Sequence, residues 1–369
     1  MNRHRRGRWT FKKHQLALTC GTVIVGLYGF SPMSAMACTP AGTAGNDTVD
    51  CSGAWLNYNS GAGDDIVTVT TNTQPFTPYF DLKTGAGADQ ISVLPGSADP
   101  QGWAINYVEA GAGDDVITLN SEDLITHNRV SGDQTGVNES GDDTIYAYKG
   151  RIFGIIGMGG SDTIVVDGAV IQPTQGNSEY AGQIFGDEYS YDLARRPTQG
   201  ERDLIYLRNG SIGGVKAGAG NDLIELTGVD VEAVAISIFG GPPTLINANR
   251  LIDGEDGDDE INLLAGSVGA VNGGAGADTI LLNGASVNIV DVDVSGVATP
   301  TGSGTVNAGD GDDTFTWMTG TLATSFDGGN GSDTATVTAS AYDGTIQALE
   351  GGDDVSTADI WTDRLTLRG

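Results

Sequence analysis

From residue 47 onward the chain repeats one short pattern: an aspartate, then apolar residues at the second and fourth positions after it, separated by polar or exposed-type residues. The second position holds Val49, Val67, Ile91, Ile117, Ile145, Ile164, Ile205, Ile224, Ile261, Ile280, Phe315 and Ala335, and only Ser356 breaks the series. The fourth holds Val69, Val93, Leu119, Val166, Leu207, Leu226, Leu263, Leu282, Trp317 and Val337. Alternation with period two, rich in β-branched residues, predicts a half-buried strand after each aspartate. A turn such as Asn209-Gly210, Ala265-Gly266 or Thr319-Gly320 follows, and then a second short strand. The shorter spacings between successive aspartates cluster at 18 to 21 residues, and those of 35 to 41 are about twice that. One coil of about 19 residues, made of two strands and two turns, cannot bury its apolar side alone, so the core forms only by stacking coils. The expected fold is all-β, a right-handed parallel β-solenoid. Long spacings are coils with the motif lost or coils carrying insertions.

Each aspartate closes a glycine turn. Seven turns have two glycines at alternate positions, ending at Asp65, Asp89, Asp115, Asp222, Asp278, Asp313 and Asp333. Their second glycines are Gly63, Gly87, Gly113, Gly220, Gly276, Gly311 and Gly331. Turns ending at Asp47, Asp143, Asp162, Asp259 and Asp354 lack the first glycine, and Asp203 ends a remnant. Glycine tolerates φ > 0, so carbonyl oxygens can turn toward a common point to which the aspartate adds a carboxylate. Oxygen donors without nitrogen or sulfur suit a hard cation, and the six to eight loose ligands of Ca²⁺ more than the strict octahedron of Mg²⁺. One turn is too short to supply them all, so the next coil, about 4.8 Å away, supplies the remainder. A lone Gly-Asp-Asp is an ordinary solvated turn. Many copies in register are different, because neighbouring carboxylates repel and a column of them needs counter-cations.

These turns resemble the nonapeptide of the RTX (repeats-in-toxin, haemolysin-type) family, Gly-Gly-x-Gly-x-Asp-x-apolar-x, which 273–281 and 328–336 match at every specified position. The resemblance runs discontinuously from about residue 42 to 355. It implies a parallel β-roll with Ca²⁺ held between turns by the motif aspartates and glycine-region carbonyls. Asp65, Asp89, Asp115, Asp143, Asp162, Asp222, Asp259, Asp278, Asp313 and Asp333, with the seven glycines named above, are therefore the candidate metal site. The family stacks its nonapeptides in tandem, whereas here the motif comes once per coil. Metal is expected along one edge only, as in a β-helix, with breaks near residues 170–200, 230–250 and 290–305 where the spacings are long.

The N-terminus adds a compartment. Six Arg/Lys without an acid, an apolar run from Leu16 to Phe30 and Ala35-Met36-Ala37 describe a secretory signal peptide over 1–37. The apolar run is shorter than the ~20 residues of a spanning helix. Removing it leaves 12 Lys/Arg against 48 acids, a net charge of −36. That sign excludes nucleic acid and anionic lipid as partners, and 39% hydrophobic residues argue against disorder. Cys38 and Cys51 remain as one pair in an exported chain and are expected to form a disulfide that caps the open end of the core. The organisation expected is a cap over 38–60, a solenoid over 61–355 and an incomplete coil over 356–369. A signal peptide, a β-solenoid and an N-terminal Cys pair also resemble autotransporter passenger domains, which implies anchoring through an outer-membrane barrel of which these residues contain none.

Chemistry outside the turns is sparse. After cleavage His127 is the sole histidine, and no His-Glu-x-x-His occurs. The stretch Gln172 to Arg202, with Tyr180, Phe185, Tyr189 and Tyr191, reads as an inserted loop suited to recognition. The functional expectation is a non-enzymatic, exported calcium-binding protein with a structural or adhesive role at the bacterial surface, meeting host or matrix ligands. The mature solenoid itself is not expected to insert into membrane. The rival is a β-helix enzyme acting on polysaccharide with structural Ca²⁺. Such a lyase needs basic residues in a cleft, and Arg129, Arg151, Arg195, Arg196, Lys216 and Arg250 are scattered.

Overall fold

A computed structural model describes residues 38, 40–52, 57–70, 80–95, 103–126, 128–134, 141–172, 181–187, 200–232, 234–236, 244–246, 250–294, 297–338, 348–350 and 364–368. The signal-peptide reading, His127, Arg195, Arg196, Tyr180, Tyr189, Tyr191 and Asp354 lie outside them. The chain forms a right-handed parallel β-solenoid. Each coil contributes one strand after the aspartate and one before the glycine turn, and each strand pairs in parallel with its counterparts in the neighbouring coils.

The alternating pattern becomes the core. The strand pairings run Val49–Val67–Ile91–Ile117–Ile145–Ile164–Ile205–Ile224–Ile261–Ile280–Phe315–Ala335 in one unbroken row. All of these side chains are buried. A second row two residues on starts at Cys51 and passes through Val69, Leu119, Leu226 and Trp317. The pre-glycine strands face them with Leu82, Val108, Val130, Ile155, Ile184, Val215, Ile252, Val271, Val306 and Phe326. Like side chains therefore stack on like, about 4.8 Å apart, and each buried Ile or Leu contributes roughly 1.5–3 kcal/mol.

One open alternative is decided and two expectations are corrected. The long spacings are insertions, not lost coils: after Asp222 and Asp278 the extra residues include antiparallel hairpins, Val234–Ile236 with Thr244–Ile246 and Val290–Val294 with Val297–Thr301. The stretch Gln172 to Arg202 is not wholly a loop, because Gln183–Asp187 is a stack strand with Ile184 and Phe185 buried. The stack also begins before residue 61, since Thr48–Ser52 pairs with Ile66–Thr70. The reason is common to all three. A strand is held by its register with neighbours, so it survives wherever a few alternating residues match, however long the connection.

Cys38 and Cys51 form the expected disulfide. Cys51 lies at the head of the second core row and is fully buried. Closing this short loop is worth about 3 kcal/mol in the chain-entropy model.

Because each core residue touches its counterparts above and below, truncation should be felt across three coils. Leu226→Ala should cost about 2–5 kcal/mol and speed amide exchange in 204–212 and 260–268 as well as 223–231. Accelerated exchange confined to 223–231 would show that the coils are not coupled.

Candidate metal centre

The motif aspartates share the parity of the buried Val and Ile two and four residues later, and the strand alternation carries all of them inward. Asp65, Asp89, Asp115, Asp143, Asp162, Asp222, Asp259, Asp278, Asp313 and Asp333 are each no more than 2% exposed. The structure brings all ten together in one row at the corner after the glycine turn. Asp203, only a remnant by its sequence, is a full member, and Asp47 begins the row.

The row is a hydrogen-bond ladder. The backbone N–H of each aspartate donates to Oδ1 of the aspartate in the next coil, from Asp47 to Asp65 and on to Asp313 to Asp333, at 2.7–2.9 Å. Its carbonyl in turn accepts the N–H of the residue that follows the next aspartate, as in Ile66 to Asp47 and Thr314 to Asp278, both 2.8 Å. The ladder passes without a break through Asp162–Asp203, Asp222–Asp259 and Asp278–Asp313. The expected interruptions near 170–200, 230–250 and 290–305 are thereby corrected: insertions leave the stack while the turns close up behind them.

A second ladder lies outside the first. Exposed Asn46, Asp64, Asp114, Asp142, Asn221, Asp258 and Asp312, each one residue before a motif aspartate, accept N–H groups from the next coil at 2.8–3.1 Å. These residues carry no candidate role in the sequence, although Asp or Asn recurs at that place in eight turns.

Glycine carbonyls complete the turn. At Gly63, Gly87, Gly113, Gly220, Gly276, Gly311 and Gly331 φ lies between 107° and 146°. At Gly276 a methyl group would also overlap the carbonyl oxygen of Gly257 in the preceding coil. A row of main-chain oxygens thus faces along the stack beside the carboxylates.

Electrostatically the inner row is costly. Oδ1 is satisfied by the ladder, but Oδ2 of Asp115, Asp143, Asp162, Asp203, Asp222, Asp259, Asp278 and Asp313 is buried without a hydrogen-bond partner. Native structures leave few such atoms, and each calls for an ion, a water or a proton. Oδ2 of Asp162, Asp259 and Asp278 faces a glycine five residues back (Gly157, Gly254, Gly273), and Oδ2 of Asp143 and Asp203 faces Gly132 and Gly186 across the long connections. At Asp89 the residue five back is Thr84, whose hydroxyl offsets part of the rise caused by burial. Burial foremost, then neighbouring carboxylates, push Asp115, Asp162 and Asp259 up to about 8, with the amide bond opposing. Asp143 and Asp203 rise to about 10, and Asp313 to about 7. Among the described residues no three His, Cys, Asp or Glu side chains form a metal-holding group. The donors form a column of carbonyl and carboxylate oxygens instead of a cage.

Set against models of known protein families and against curated proteins, the chain gives no match.

Three of the candidate basic residues, Lys216, Arg129 and Arg250, are engaged elsewhere. Lys216 pairs with Glu255 at 2.6 Å, the Arg129 guanidinium lies over Tyr107, and buried Arg250 donates to the Val231 carbonyl, Asn288 and Ser267.

Two outcomes follow. Gly276→Ala should destabilise the stack markedly, whereas Gly45→Ala, with nothing within 4 Å of the new methyl, should change the melting temperature little; equal shifts would contradict the turn geometry. The second concerns pH. These acids have folded-state pKa values above the ~3.9 of an unfolded aspartate, so the folded chain binds more protons and its stability falls as pH rises. In chelator the melting temperature should decline from about pH 4 to about pH 10, the value reached by Asp143 and Asp203. A flat or rising profile would contradict the buried row.

Proposed function

We propose that this is an exported calcium-binding solenoid with a structural or adhesive role at the bacterial cell surface, in which Ca²⁺ uptake and folding are coupled. The observation that carries the reading is the inner row of buried Oδ2 atoms without partners. A hard divalent cation suits them. The available donors are all oxygens, carboxylate and main-chain carbonyl, and they recur at each coil as ions bridging successive coils would need. Asp115, Asp143, Asp162, Asp203, Asp222, Asp259, Asp278 and Asp313 would hold the ions together with carbonyls of the glycine turns. Bound cations would cancel the repulsion within the row and part of the net charge of the chain.

Binding to the stacked chain and hardly to the unfolded one stabilises by RT ln(1 + [Ca²⁺]/Kd), about 2.7 kcal/mol per site at a hundredfold excess. Several sites together match the stability of a whole domain. Such a chain stays loose at low cytosolic calcium and folds outside the cell. The RTX-like turns and the signal-peptide-like N-terminus agree with that route, and the engagement of Lys216, Arg129 and Arg250 in the stack speaks against a polysaccharide lyase.

Circular dichroism of the chain in EDTA, then with millimolar CaCl₂, tests the reading. The expected result is weak β signal in chelator at neutral pH and a melting temperature raised by Ca²⁺. Asp278→Asn should reduce that rise, and MgCl₂ should not replace CaCl₂. Full β signal with an unchanged melting temperature in EDTA would sink the proposal. Turnover of acidic polysaccharides by the calcium-loaded chain would favour the enzymatic alternative.

A further inference from the structure

The turns are not alike in one respect. Four residues before the motif aspartate most coils carry glycine, as at Gly61, Gly85, Gly111, Gly218, Gly274, Gly309 and Gly329. Strand pairing puts other residues there in the middle of the stack: Met158 pairs with Asp187, and Gly218 with Glu255. Met158 holds φ 102° and Glu255 φ 74°, values that cost a side chain of order 1–3 kcal/mol. Glu255 is neutralised by Lys216 at 2.6 Å. Asp187 makes no ion pair with a Lys or Arg among the described residues, and it is only 6% exposed.

The Asp187 carboxylate points along the stack. Its Oδ2 accepts the N–H of Ala219 in the next coil at 2.8 Å. Elsewhere that N–H goes to a main-chain carbonyl, as Ala62 donates to Thr43 at 3.2 Å. The same Oδ2 lies 2.6 Å from where a Cβ on Gly218 would stand. A side-chain carboxylate has therefore replaced a main-chain carbonyl in the row of oxygens. Around it are Asp162, Asp203 and Asp222, whose own Oδ2 atoms are buried without hydrogen-bond partners. The charge of Asp187 is felt by both Asp162 and Asp203.

We propose that the coils ending at Asp162, Asp203 and Asp222 hold the tightest divalent-cation site of the column, with Asp187 supplying an extra carboxylate in place of a glycine carbonyl. The inference rests on reading the column as cation-binding. It moves the strongest site away from the turns that match the repeat consensus best, 273–278 and 328–333. Affinity of oxygen-ligand Ca²⁺ sites is set largely by the number of charged ligands and the rigidity of the site. Asp187 adds one such charge, fixed by the Ala219 N–H, and buried Asp133 adds a second that also reaches Asp162.

Calorimetric titration of the full chain with CaCl₂ tests it, comparing wild type with Asp187→Asn and Asp278→Asn. The asparagine of the first variant keeps an oxygen for the Ala219 N–H and removes only charge; Asp187→Gly, restoring the common residue, is the second variant should the first not fold. Wild type should show a tight class of sites followed by weaker ones. Asp187→Asn or Asp187→Gly should weaken the tight class about tenfold or more, and Asp278→Asn should leave that class in place. A tight class unaffected by either change at position 187, or lost in Asp278→Asn, overturns this inference while leaving calcium binding intact. No calcium uptake by wild type overturns both.

Discussion

Everything in this molecule follows from burying an aspartate once per coil. The amide N–H of one aspartate and the carboxylate of the next form a ladder at 2.7–2.9 Å, parallel to the main-chain ladders of the two sheets. A carboxylate is an expensive group to bury, and half of each one is satisfied by the backbone of its neighbour. The other half leaves an oxygen facing the corner of the core. The glycines of the turn and the glycine that faces the carboxylate, such as Gly157, Gly186 or Gly273, follow from the same constraint, since both keep the corner open enough for the carboxylate to enter.

That arrangement separates coil length from coil geometry. The ladder joins Asp162 to Asp203 across 41 residues at 2.7 Å and Asp143 to Asp162 across 19 at 2.8 Å. Insertions can therefore differ in length and form, including hairpins, while the turns that line the column keep one register. Loops on such a scaffold are free to vary for recognition, and the donor oxygens do not have to move with them.

The architecture is legible because period-two alternation and the fixed spacing of aspartates both state it. Val67, Ile91 and Ile117 can be assigned to one buried row from the sequence alone. The direction of the carboxylates is also written there, in the shared parity of Asp278, Ile280 and Leu282, yet a Gly-Asp-Asp turn suggests a solvated edge and hides it. Asp203 is undervalued because Glu201 stands where its neighbours have glycine, although Leu204-Ile205-Tyr206-Leu207 continues the strand pattern. The outer ladder escapes notice for a different reason. Asp64 and Asp258 look like ordinary surface acids, and only the register of adjacent coils makes them acceptors. Nor can spacing reveal that Asp187 stands in a glycine's place, because the long connections on either side erase the count from the motif.

The disulfide between Cys38 and Cys51 has a mechanical consequence. A pull applied at Cys38 crosses the sulfur bridge and enters the chain at Cys51, within a strand paired to Ile66–Thr70. The intervening segment from residue 39 to 50 carries none of that tension. Force then acts on a strand in shear against its neighbour, which must break several main-chain bonds together. Without the bridge, the same pull would peel the first coil away one bond at a time.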